Sequence, residues 1–160
     1  NIIGQSSHLA ILDGSDAVYI DKVEVVRNLR LYSQIGKRIP VYCSALGKSL
    51  LMDESDKVIL DTLNECTFIK MTDTTKMTPE EVLKEIRQSK SRGWTIDDEE
   101  HDVGIRCIAA PVYDYRDKIT ATISVAGPST VISKERDEEI GSLVVKYARM
   151  ISEKLGYFVR

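Results

Sequence analysis

Four stretches of this 160-residue chain bring together side chains able to do chemistry. Gly47-Lys48-Ser49 has the ending of a phosphate-binding loop. Asp97-Asp98-Glu99-Glu100-His101-Asp102 is the densest polar cluster. Cys107 sits in the apolar run IRCIAAPVY (105–113), and Ser124 in the apolar run ITATISVA (119–126). The loop reading fails on spacing. A phosphate loop needs a further glycine five positions before Gly47, and that position is Tyr42; the residues between are Cys43, Ser44, Ala45 and Leu46. Without glycines the backbone cannot wrap a triphosphate. A weaker property survives: Ser44 can cap a helix over 44–52, and the first N–H groups of a helix suit an anion.

In the acidic run a solvated turn is the plain reading. The sharper one has a carboxylate turned inward, and Asp97, next to apolar Ile96, is the candidate. Asp97, His101 and Cys107 form a minor metal-ligand hypothesis, although their spacing matches no zinc signature. Cys107 as nucleophile would need a histidine base, and only His8 and His101 exist. His8, early in a strand, is expected to be exposed. Ser124 either bonds backbone or points into a small pocket. No Ser-His-Asp set is recognisable, and the chemistry favours a sensor over an enzyme, with no catalytic residue and no cofactor.

The elements that must position these residues are read from periodicity and turn chemistry. Residues 7–12 and 17–23 predict a hairpin closed by Asp13-Gly14-Ser15-Asp16, the second strand placing Val18, Ile20 and Val23 opposite Tyr19 and Asp21. Residues 29–35 predict a third strand, and Gly36 to Pro40 a turn. A helix over 56–64 would bury Val58, Leu60 and Leu63, and residues 66–77 are expected to be irregular. Thr78-Pro79-Glu80-Glu81 is a helix start, with Val82, Leu83 and Ile86 buried and Gly93 as the stop. Trp94 to Ile96 predicts a short strand. Residues 105–113 and 119–126 predict an antiparallel pair. Ser133 would cap a last helix burying Ile140, Leu143, Val144, Tyr147, Ile151 and Leu155, ended by Gly156. The expected class is α+β, an antiparallel sheet with helices on its faces, in a single domain over 1–160.

The composition, 42% hydrophobic and 29% charged, is that of an ordinary globular domain. No apolar run approaches the ~20 residues that cross a bilayer, and a net charge of -3 argues against this piece gripping nucleic acid alone. Three widely spaced cysteines, Cys43, Cys66 and Cys107, fit reduced thiols in the cytoplasm. Because the chain opens at Asn1 with a strand-like segment close behind, it is expected to be part of a longer protein.

Taken together, LRLYSQIGKRIPVYCSALGKSLL (29–51), RGWTIDDEEHDVGIRCIAAPVYD (92–114) and ITATISVAGP (119–128) resemble the effector-binding domain of IclR-type bacterial transcription regulators. The resemblance spans nearly the whole chain and rests on the order of the motifs. It implies a GAF/PAS-like curved antiparallel sheet flanked by helices, and a winged helix-turn-helix upstream. It implies a homodimer or homotetramer, a repressor's role, and DNA contact only through the upstream domain. It also implies a pocket for a small carboxylate. There the N–H groups of Ala45 and Leu46 hold the carboxylate and Asp97 accepts from a hydroxyl. Cys107 lines the pocket, Ser124 donates a hydrogen bond, and Ile105 and Leu31 form apolar wall. Some members carry a second serine where this chain has Ala126. Regulators of sugar-acid catabolism are the nearest likeness, with a hydroxylated keto acid such as 2-keto-3-deoxygluconate as ligand. The rivals are a small-acid hydrolase using Cys107 or a metal, and a pure oligomerisation module.

Overall fold

The computed structural model describes residues 3–25 and 33–158. Six strands form one sheet, β1 (Ser6–Asp13), β2 (Asp16–Val23), β3 (Arg38–Pro40), β4 (Thr95–Asp98), β5 (Ile105–Tyr113) and β6 (Ile119–Pro128). Their order is β3-β2-β1-β6-β5-β4, every neighbouring pair is antiparallel, and the sheet curls into a half-barrel. Four helices accompany it, α1 (Ala45–Leu50), α2 (Asp56–Asn64), α3 (Pro79–Lys90) and α4 (Asp137–Lys154). This is the expected α+β class.

Strand alternation divides the central sheet between two cores. Ile108, Ala110 and Val112 of β5, with Val125 of β6, pack under α4 against Trp94, Ile140 and Val144. The intervening residues, Cys107 and Ala109, face α1 with Ala10, Ala17, Tyr19, Ala45, Leu46 and Leu50. A third cluster joins α2, α3 and the turn before α1 through Tyr42, Leu51, Ile59, Leu63, Val82 and Ile86. The helix starts follow local chemistry. Ser55 Oγ accepts from Val58 N–H, and Thr78 and Glu81 exchange both bonds of a capping box. Gly93, at φ +81°, accompanies the stop of α3.

Several expectations are corrected. Of the strand predicted over 29–35, residues 29–32 lie outside the described residues and 33–35 are not strand. The third strand is 38–40, where a turn was expected; it pairs with the β2 entry, Asp16↔Pro40 to Val18↔Arg38. In β2 the strict alternation breaks. Leu9 faces Asp21 but Ala10 faces Tyr19, so Ile20 is an extra residue. That bulge turns Tyr19 onto the α1 face while Asp21 stays on the other. In α2 the buried residues are Ile59 and Leu63, and Val58 is exposed. Ser133 precedes a single tight turn (134–136) and makes no side-chain cap. On α4 the buried stripe is Ile140, Gly141, Val144, Ala148 and Ser152, and Tyr147, Ile151 and Leu155 are more than a third exposed. Small residues lie toward the sheet because Trp94 packs there: a Cβ on Gly141 would fall 2.3 Å from Trp94 Cε2.

Candidate effector site

Each member of Gly47-Lys48-Ser49 has a packing role. A Cβ on Gly47 would lie 2.3 Å from Val41 Cα, so glycine lets α1 close on the preceding turn. Ser49 Oγ accepts from Thr122 Oγ1 at 2.9 Å. Lys48 is fully buried, its Nζ 2.8 Å from Glu85 Oε1 and 2.9 Å from Glu100 Oε1. Burial pulls its ammonium toward losing the proton, but Glu100 and Glu85 outweigh this and hold it above its ordinary value. Lys48 is therefore committed to two internal carboxylates. Ser44 Oγ accepts from Gly47 N–H at 3.1 Å and Ser44 C=O from Lys48 N–H. The N–H groups of Ala45 and Leu46 meet no acceptor among the described residues.

The acidic run is not simply solvated: two carboxylates turn inward. Asp97 ends β4, is 4% exposed, and accepts from Glu100 N–H at 2.7 Å and His101 N–H at 3.4 Å. Burial, reinforced by the Glu100 charge, pushes its carboxyl up to about 7 against the pull of Lys48 and the two N–H groups. Glu100, 1% exposed, is the acceptor of the Lys48 and Lys76 ammonium groups. Asp98 turns outward to Arg106 (2.8 Å) and Lys134 (3.0 Å). The threonine-rich stretch straps this turn: Thr72 Oγ1 donates to Glu99 C=O at 2.6 Å, and Thr75 Oγ1 to Glu100 C=O at 2.7 Å.

Pairing gathers most of the expected residues on the α1 face. Asp97 lies opposite Cys107, Cys107 opposite Ala126, and Ser124 opposite both Ala109 and His8. Ile105 shares that face two residues before Cys107. Leu31 lies outside the described residues. Cys107 is only partly exposed, and burial plus the neighbouring Asp97 pushes its thiol well above the ordinary range, the wrong direction for a nucleophile. His101 Nδ1 lies 2.7 Å from Asp102 Oδ2. Among the described residues no three His, Cys, Asp or Glu side chains gather as a metal site.

The residues missed by sequence are His8, Tyr19 and the buried ion network. His8, expected exposed, is 4% exposed because it shares the α1 face with Ala10. Its Nε2 lies 2.7 Å from Ser33 Oγ and its Nδ1 3.5 Å from Ser124 Oγ, and its ring lies 5.0 Å from that of Tyr19. Burial, helped by Lys22, lowers its imidazole to about 4. Period two in SSHLAILD was the available signal: His8 shares parity with Ser6 and Ala10. Ser6 lies opposite Ala126. A cavity of about 480 Å³ opens on the other face, beside α4. Its lining is mostly apolar (Leu9, Ile123, Val125, Leu143, Tyr147); it reaches His8 and Ser124 but not Asp97, Cys107, Ala45 or Leu46.

The sequence matches the family described as bacterial transcriptional regulator IclR C-terminal over residues 1–153. The chain belongs to the IclR family. It is 35% identical over 153 residues to the HTH-type transcriptional regulator KdgR of Escherichia coli, covering 96% of this chain and 58% of that protein. To the E. coli transcriptional repressor AllR it is 34% identical over 153 residues, covering 96% and 56%. The chain thus spans a little over half the length of these relatives. The C-terminal domain of E. coli KdgR superposes with a TM-score of 0.87 at 31% identity, covering 98% of this chain and 90% of that one. The Thermotoga maritima IclR superposes at 0.90 and 31% identity, covering 98% and 63%. The family is one of transcription regulators rather than enzymes. No described helix is long and apolar enough to cross a membrane.

Proposed function

We propose that this chain is the effector-sensing domain of a bacterial transcriptional repressor, and that its ligand is a small hydroxylated carboxylate such as 2-keto-3-deoxygluconate. The observation that carries the reading is Asp97: a buried carboxyl with no cationic partner of its own among the described residues, on the same sheet face as Ser124, Cys107 and the start of α1. Glu100, three residues on, has the cations. The bonds to Asp97 from the Glu100 and His101 N–H groups offset only part of the cost of burying it, so a ligand role fits. The ligand carboxylate would sit on the N–H groups of Ala45 and Leu46, its hydroxyls on Asp97 and Ser124, with Cys107 and Ile105 as wall. The identities to KdgR and AllR, 35% and 34%, do not separate the two, so the sugar-acid class rests on the hydroxyl-accepting side chains.

Regulation in this reading is linkage. The acid prefers one arrangement of a homodimer or homotetramer, and a coupling of about 1–3 kcal/mol changes operator affinity in an upstream winged helix-turn-helix. Such a regulator works in the cytoplasm, where its DNA is. The test is a thermal-shift screen of 2-keto-3-deoxygluconate, glyoxylate, pyruvate and aromatic acids against wild type and Asp97→Ala. An acid at about 100 times its Kd adds about 2.7 kcal/mol. A saturable rise lost in Asp97→Ala supports the reading. No shift with any acid removes it.

A further inference from the structure

His8 is the side chain on the α1 face that packing explains least. An imidazole buried to 4% exposure needs partners for both ring nitrogens. Nε2 has one, Ser33 Oγ at 2.7 Å. Among the described residues Nδ1 has only Ser124 Oγ at 3.5 Å, the outer limit of a hydrogen bond. The β1–β6 register sets His8 and Ser124 directly opposite each other, so both address one point on the face. Tyr19, turned inward by the β2 bulge, braces the ring at 5.0 Å. A leucine would fill this place without the polar penalty, and the protein instead keeps a histidine with one under-used nitrogen.

The chemistry of that point follows from charge. Burial holds the imidazole neutral, helped by Lys22, whose Nζ lies 2.7 Å from Ser33 C=O, and opposed more weakly by Glu24, which pairs with Lys22. A neutral imidazole offers one donor and one acceptor, and a serine hydroxyl offers either. The pair matches a ligand hydroxyl, which also donates and accepts, and gives no charge to a carboxylate. Asp97 is on β4, at the far side of β5 and β6, with Cys107 and Ala109 as floor between the two polar stations. We infer that His8, acting with Ser124, is a specificity-determining residue of the effector site, selecting acids with a hydroxyl remote from the carboxylate over their unhydroxylated counterparts. This rests on the sensor reading above.

The test compares 2-keto-3-deoxygluconate with 2-oxohexanoate, which keeps the keto acid end and lacks the hydroxyls, by calorimetric titration of the 160-residue chain. Wild type should prefer the hydroxylated acid at least about tenfold, because the unhydroxylated one leaves buried polar groups unpaired. His8→Leu should cut that preference to within about threefold by weakening the hydroxylated acid alone, and His8→Gln, with its polar tip, should restore part of it. If leucine is not accepted by the fold, His8→Gln and Ser124→Ala carry the same comparison. An unchanged preference in His8→Leu overturns the inference. Equal weakening of both acids overturns it too, since that marks a packing role. Binding of neither acid by wild type overturns the sensor reading itself. Binding of both with equal strength leaves that reading standing and refutes His8 alone.

Discussion

Asp97→Asn and His8→Gln should give the domain opposite dependences of stability on pH. Asp97 ionises near 3.8 when exposed and near 7 in the fold. As pH rises through that interval the unfolded chain loses its proton first, so stability falls. His8 takes a proton near 6.5 when exposed and near 4 in the fold. As pH falls through that interval the unfolded chain gains its proton first, so stability again falls. At about 1.4 kcal/mol per pH unit of difference, the Asp97 effect is about 4 kcal/mol and the His8 effect about 3 kcal/mol. Both groups are only 4% exposed, so solvent screening removes little of either.

In the wild type the two nearly cancel. Between pH 4 and 6.5 the folded chain holds one proton on Asp97 and the unfolded chain holds one on His8, so the net uptake from this pair is close to zero. Asp97→Asn keeps the Oδ1 acceptor for Glu100 N–H and leaves only the His8 slope: stability should rise by about 3 kcal/mol from pH 4 to 6.5. His8→Gln leaves only the Asp97 slope: stability should fall by about 4 kcal/mol from pH 4 to 7. Urea titrations at half-unit pH steps measure both, and the other titrating groups are common to all three proteins. Two variant curves running parallel to the wild type would refute the assignment of these protons.

Lys48→Met should cost about 3–5 kcal/mol in urea unfolding, because it leaves Glu100 and Glu85 buried with Lys76 alone; adding Glu100→Gln should recover part of the loss. Gly47→Ala gains about 1 kcal/mol of helix propensity, but its Cβ meets Val41 backbone at 2.3 Å, so the melting temperature should drop. Gly141→Ala meets the Trp94 ring at 2.3 Å and should lose at least about 1–3 kcal/mol, with a change in tryptophan emission that Gly47→Ala does not produce.

What the sequence made legible follows the range of the interactions. The capping box at Thr78, the hairpin turn at Gly14 and the strands of β5 and β6 are decided within a few residues, and they form as expected. Asp21 was misassigned to the Tyr19 face because one bulged residue, Ile20, reverses every later face, and nothing local in DAVYIDKV announces it. The α4 face was misread because apolar period alone does not say which stripe is covered. Trp94, over forty residues away, demands small residues at Gly141 and leaves Tyr147 and Ile151 at the surface. The Lys48–Glu100 pair spans 52 residues, so no window could show it. Asp97, Cys107 and Ser124 were reached through motif order, and register then set them on one face.

The state of Asp97 also decides which end of the ligand it meets. If a hydroxyl donates to it, the bonds favour the carboxylate and lower its proton affinity in the complex. Binding then releases a proton below pH 7, and affinity should climb with pH up to about 7 and stay level above it. If the ligand's own carboxylate lay there, two negative charges would have to share the site. Asp97 would then stay protonated, and affinity would fall about tenfold per pH unit above 7. The placement of the carboxylate on Ala45 and Leu46 requires the first profile. Titration calorimetry in two buffers of different ionisation enthalpy separates them. Proton release at pH 6.5 keeps the carboxylate on α1, and proton uptake at pH 8 would move it to Asp97.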